Sequence, residues 1–215
     1  MPRTARASVG GICYHVINRG NRRARVFHNA ADYRAFSGLI ERACARVRMR
    51  LVGYCVMPNH FHFVLWPRED GDLSRYMQWL LTAHVRRYHR INGTEGRVWQ
   101  GRFKAFPIEQ DDHLLTVLRY TERNPLRANM VDSAEKWLWS SLGPNRIDRA
   151  DDCLPVALPE NWLDWVNEPQ TPAELEAIRE SLARSRPFGA PDWQKNIAAQ
   201  LGLGDSLRPL GRPAK

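Results

Sequence analysis

Long apolar runs are missing from this 215-residue sequence. LVGYCVM (51–57) is among the longest, far short of the roughly 18–20 residues that cross a membrane. The basic start MPRTARASVGG has no apolar segment behind it, so no secretory signal is expected. Cysteine is sparse and scattered: Cys13, Cys44, Cys55 and Cys153 form no CxxC pair, which argues against a cysteine zinc site and a disulfide framework. They are expected as buried thiols in a reducing, cytoplasmic setting. No P-loop, internal repeat or low-complexity tract is present. What is there suffices for a core, since 43% of residues are hydrophobic and 10% aromatic. The length suits one substantial domain, with or without an appended tail.

Acidic residues are scarce in one part of the chain only. The net charge of +9 divides into 22 Lys+Arg against 10 Asp+Glu over residues 1–131, and 10 against 13 over residues 132–215. The first 50 residues alone carry 11 arginines and two acids. Arginine pairs bidentately with phosphate oxygens and stacks on bases, so a nucleic-acid partner is expected for the front of the chain. A merely solubilising surface is the bland alternative.

Periodicity places the elements. ICYHVINRG (12–20) is a short strand running into the turn NRRARVF, and Asn29 or Asp32 caps a helix that reaches about Arg48. LVGYCVM and HFHFVLW (60–66) form a hairpin around Met57-Pro58-Asn59. A helix follows from Leu73 to about Ile91, then extended chain over 98–108, then a helix from Asp111 or Asp112. The order β-α-β-β-α-β-α predicts an α+β fold, a ferredoxin-like split βαβ plan with an antiparallel sheet and helices on its faces. It occupies residues 1–131. Residues 132–215, rich in Pro and Trp, are expected to form an extension with a helix over TPAELEAIRESLARS and a basic tail, docked on the domain or on DNA, with Trp137, Trp139, Trp162 and Trp165 packing it down.

Two constellations carry chemistry. His60 and His62 alternate with Phe61 on a strand, so both imidazoles share one face and supply two legs of a divalent-metal site. Two surface histidines would be the plain alternative. Tyr120 and Asn124 lie four apart on a helix, although Pro125 disfavours helical backbone at Asn124 and is expected to end or kink it there. A Tyr hydroxyl near a metal-bound phosphate and several Arg becomes a usable nucleophile. Together these are the parts for transesterification at a phosphodiester, although Tyr120 could equally be core. Arg19, the cluster Arg22, Arg23 and Arg25, and the flanking Arg119 and Arg123 are candidates for phosphate contacts, with a solvated loop an equal alternative for Arg19 and the cluster. Trp99, Arg102 and Lys104 interleave an aromatic with cations, as stacking on unpaired bases requires, with burial of Trp99 in the core as the alternative. His15 is expected in the core or behind a metal ligand.

MPNHFHFVLWP, WQGRFKAFPI, VLRYTERNPLRANMV, WLWSSL and the terminal GRPAK, in this order, resemble the REP-associated tyrosine transposases, a branch of the single-tyrosine HUH transposases. The resemblance spans nearly the whole chain. It implies an HUH endonuclease fold acting on hairpin-forming single-stranded DNA from repetitive extragenic palindromes. It implies His60 and His62 as ligands of Mg²⁺ or Mn²⁺, with Asn124 as a third, and Tyr120 as the nucleophile that forms a 5′-phosphotyrosine and releases a 3′-hydroxyl. A monomer associated with the nucleoid is expected. Two alternatives remain beside it: a silent hairpin-binding protein of the same fold, and a metal-dependent phosphodiesterase that uses activated water.

Overall fold

Period-two burial organises the sheet of the computed structural model, which describes residues 8–147 and 154–208. Strands β1 (Cys13–Arg19), β2 (Arg50–Met57), β3 (His60–Trp66) and β4 (Lys104–Ile108) pair in the order β2-β3-β1-β4, all antiparallel. On one face Tyr14, Val16, Phe61, Phe63 and Leu65 are buried against helices α1 (Ala30–Val47) and α2 (Asp72–Asn92). The other face carries Cys13, Val64, Phe106 and Ile108, and takes helix α3 (Asp112–Glu122). Strand alternation alone explains why a continuous run such as HFHFVLW feeds two separate cores. Gly53 permits α3 to lie close, because a Cβ there would fall 2.1 Å from Leu118 Cδ1. This is the ferredoxin-like α+β plan that the element order predicts.

The capping residues fall where the sequence puts them. Asn29 Oδ1 accepts from the N–H groups of Ala31 and Asp32, and Asp111 Oδ1 accepts from the N–H of His113. The extended chain expected over 98–108 is shorter, since only Lys104–Ile108 joins the ladder. Val98–Phe103 forms turns pinned to the end of β1, where Val98 O accepts from Asn21 N and Gln100 N donates to Arg19 O.

After a short helix α4 (Asn124–Arg127), the rest of the chain wraps the sheet. Val56 N donates to Trp139 O and Ser141 N to Tyr54 O, which covers the free edge of β2. Helices α5 (Trp162–Asn167) and α6 (Pro172–Arg184) pack on α3, and Trp162, Val166 and Ile178 belong to the same core as Val117 and Leu118. Beyond them Phe188 bridges to Ile108 at the end of β4, before α7 (Pro191–Leu201) and α8 (Gly204–Leu207). Trp137 donates through Nε1 to Val56 O, and Trp139 stacks on Tyr33 with ring centroids 4.9 Å apart. Cys13 and Cys55 are buried free thiols and Cys44 is a half-buried one, with burial raising Cys13 to about 12 and Cys44 to about 11. Cys153 and the GRPAK tail lie outside the described residues.

Candidate active site and nucleic-acid interface

The register of three strands assembles the site. Arg19 pairs with His60 and Ile17 with His62 across β1–β3, while Ile17 also pairs with Lys104 across β1–β4. Directly paired residues share a face, so His60, His62, Arg19, Lys104 and His15 all point to the α3 side. The two imidazole centroids lie 5.0 Å apart. Each ring has its Nδ1 engaged: His60 Nδ1 meets Asn59 Oδ1 at 2.6 Å, and His62 Nδ1 meets His15 Nε2 at 3.0 Å. With His62 Nδ1 donating to His15 Nε2, Nε2 of each ring keeps the lone pair able to hold a divalent cation, and the contacts fix both ring orientations. Burial, with smaller contributions from Arg19 and Arg127, lowers His60 to about 4, and burial holds His62 well below its usual range. Neutral imidazoles are what metal ligation needs.

Asn59 and His15 sit behind these two histidines. Asn59 also donates through Nδ2 to Arg23 O and accepts through its carbonyl from Gly20 N, so the Pro58-Asn59 turn ties the arginine loop to the first histidine. The sequence marks Asn59 only as a turn residue, and its place beside HFH is the signal that would have raised it. His15 is fully buried, its pKa lowered to about 3, and it sits behind His62 as expected.

Tyr120 reaches this pair from the opposite layer. Its ring centroid is 5.7 Å from that of His62 and 6.2 Å from that of His15. Helix α3 closes at Glu122 and α4 restarts at Asn124, the break Pro125 imposes. Arg123 stays helical between them, and Arg127 N still bonds Arg123 O. The helical rotation is therefore kept, and Tyr120, Asn124 and Arg127 share one side. The Arg127 guanidinium lies 4.1 Å from the Tyr120 ring centroid and donates to Asn124 Oδ1 at 2.9 Å. Asn124 is 5% exposed and its Nδ2 has no partner, so one oxygen lone pair remains for a further ligand. Arg127, which no motif argument singled out, thus sits at the centre of the site. The only His/Cys/Asp/Glu triad with ligand atoms close together among the described residues is Glu109, Asp111 and His113 at the start of α3. There Asp111 caps the helix and Glu109 accepts from Ala190 N.

Beside Tyr120 opens a groove of about 520 Å³ lined by Arg19, Arg102, Lys104 and Arg179, with no carboxylate among its lining residues. The structure therefore brings Arg19, Arg102 and Lys104 together with the tyrosine. Arg22, Arg23 and Arg25 are exposed on the loop tied to Asn59, and Arg22 and Arg23 hold the left-handed backbone with φ of 54° and 61°. Three expectations need correction. Trp99 is 5% exposed and packs edge-on against Phe61 with centroids 5.2 Å apart, so it belongs to the core and offers no face to a base. Arg119 is 3% exposed and spends its guanidinium on the carbonyls of Trp165 (2.7 Å), Glu168 (2.9 Å) and Pro169 (3.2 Å) and on Glu174 (3.3 Å). Arg123 donates to the carbonyls of Val166 (2.9 Å) and Asn167. Both arginines face the extension, about 100° and about 60° from Tyr120 around the helix for Arg119 and Arg123, and hold α5 on α3 instead of holding DNA.

The sequence model of the family described as "Transposase IS200 like" matches residues 8–124. A Haemophilus influenzae protein described as a REP-associated tyrosine transposase is 25% identical over 137 residues, covering 59% of this chain and 74% of that one. A solved structure of a REP-associated tyrosine transposase bound to a REP hairpin superposes with a TM-score of 0.54 at 20% identity, covering 74% of this chain and 100% of that one.

Proposed function

This chain belongs to the IS200-like transposase family, and from that premise we propose that it binds hairpin-forming single-stranded DNA of the repetitive extragenic palindrome kind and cuts it through Tyr120. The observation that carries the reading is the approach of Tyr120 to His62, 5.7 Å between ring centroids, beside a groove walled by cations. In this reading residues 1–131 are the catalytic unit and residues 132–215 its extension.

His60 and His62 would hold Mg²⁺ or Mn²⁺ through Nε2, with Asn124 Oδ1 as a third donor. Such ions prefer oxygen, so the donor set fits only if phosphate oxygens and waters complete it. The ion would supply charge that makes the scissile phosphorus electrophilic. The chain does the rest. Tyr120 Oη forms a bond to phosphorus, the P–O3′ bond breaks, the phenol loses its proton, and the departing oxygen gains one to become a 3′-hydroxyl. Arg127, over the ring, stabilises negative charge on the phenolic oxygen as the proton leaves. The 5′-phosphotyrosine keeps the bond energy, so a 3′-hydroxyl can attack it and rejoin the strand without a nucleotide cofactor. Arg19, Arg102 and Lys104 hold phosphates without reading sequence.

The test is incubation of labelled palindromic single strands with the protein and Mn²⁺ or Mg²⁺. A covalent protein–DNA adduct is expected from the wild type and from neither Tyr120→Phe nor His62→Ala. Cleavage surviving Tyr120→Phe would assign hydrolysis by activated water, and binding without cutting in the wild type would assign a silent hairpin binder.

A further inference from the structure

Part of the wall of the groove comes from the C-terminal extension. Arg179, Leu182 and Ala183 of α6 line it together with Arg19, Arg102 and Lys104, although α6 lies outside the segment matched by the family. We propose that Arg179 is a DNA-binding residue that grips a backbone phosphate of the single strand running to Tyr120, so that the groove is complete only with the extension in place. The proposal rests on the DNA-processing function above.

Three features support it. Arg179 is exposed, and among the described residues it has neither an ion pair nor a hydrogen bond. The neighbouring Glu180 is engaged by Arg184 and Arg186 instead. A fourth cation lining the same groove as three others, with no carboxylate among the lining residues, is repulsive until a polyanion enters. The helix beneath is also held firmly. Thr171 and Glu174 form a reciprocal cap, Ile178 is fully buried against the α3 core, and Glu174 pairs with Arg119 one residue from Tyr120. The Arg179 backbone is thereby fixed relative to the nucleophile, and rigid placement lowers the ordering cost of gripping a ligand.

A phosphate contact is independent of base sequence, so labelled oligothymidylate serves as the probe, with binding followed by anisotropy across a salt series. Arg179→Ala in the full chain should weaken binding several-fold and reduce the slope of log affinity against log salt by about 0.7, the value for one phosphate on a single strand. Arg179→Lys should restore most of the slope, and Lys195→Ala, which removes an exposed cation elsewhere, should leave it unchanged. An unaltered slope in Arg179→Ala overturns the proposal, as does a wild type that shows no salt-dependent binding of the strand. Adduct formation on palindromic DNA is scored separately. An adduct-forming wild type with an unaltered Arg179→Ala slope sinks this proposal alone, while a reduced slope without any adduct sinks the cleavage reading alone.

Discussion

Burial keeps four histidines neutral in the folded chain, lowering His15 to about 3 and His60 and His84 to about 4, and holding His62 well below its usual range. In the unfolded chain they return to about 6.5 and take up protons first. A depressed folded pKa gives stability that is full above pH 6.5 and is lost as the pH falls towards the folded value. Each such histidine contributes about 1.4 kcal/mol per pH unit to that loss. The urea midpoint, measured in EDTA, should therefore drop between about pH 6.5 and 5, before most carboxylates titrate. A flat midpoint over that range would contradict the burial of these rings as neutral groups. The histidine pair itself was legible because strand alternation needs only adjacent positions. Asn59 as a partner of His60, and Arg127 as a neighbour of Tyr120, depend on how a turn folds back and where a helix resumes after proline, which no local pattern encodes.

The tyrosine helix and the extension behave as one element pair. Arg119 satisfies three carbonyls around the end of α5, and Glu122 accepts from Ser141 Oγ and Trp162 Nε1 on the same side. Removing one partner of a buried charged network leaves the others uncompensated, typically at a cost of about 3–5 kcal/mol. Arg119→Ala should lose stability of that order and expose residues 158–171 to protease, and Arg119→Lys should not rescue it, because an ammonium lacks the forked donors. An unchanged denaturation midpoint would show that α5 docks without it. From the sequence, Arg119 and Arg123 read as DNA contacts because charge beside a nucleophile looks like a phosphate grip. Their direction is set by the extension, whose packing surface, built from Trp162, Val166 and Ile178, is split among short segments with little periodicity to reveal it. Trp99 misleads in the converse way: cations flank it in sequence, but the turn at 98–103 rotates the indole inward beneath Phe61.

Among the described residues both edges of the sheet are partly covered, since residues 139–141 pair with the Tyr54–Val56 part of β2 and Phe188 pairs with the Pro107–Ile108 end of β4. Unpaired edges are the usual route by which sheets join. Sedimentation should accordingly give a single species near 24.9 kDa without DNA, and a concentration-dependent dimer would indicate association by another surface. The position of the covering segments in the chain also has a cost during synthesis. The last sheet strand ends at Ile108, while the residue that closes its outer side is Phe188, about 80 positions later. At roughly 5–20 residues per second that gap lasts on the order of 4–16 s. For that interval each nascent chain emerging from a ribosome presents β4 bare to its neighbours on the same message. Slowing translation within the stretch encoding 109–188 should therefore raise the fraction of newly made protein lost to aggregation, although the finished molecule is unchanged.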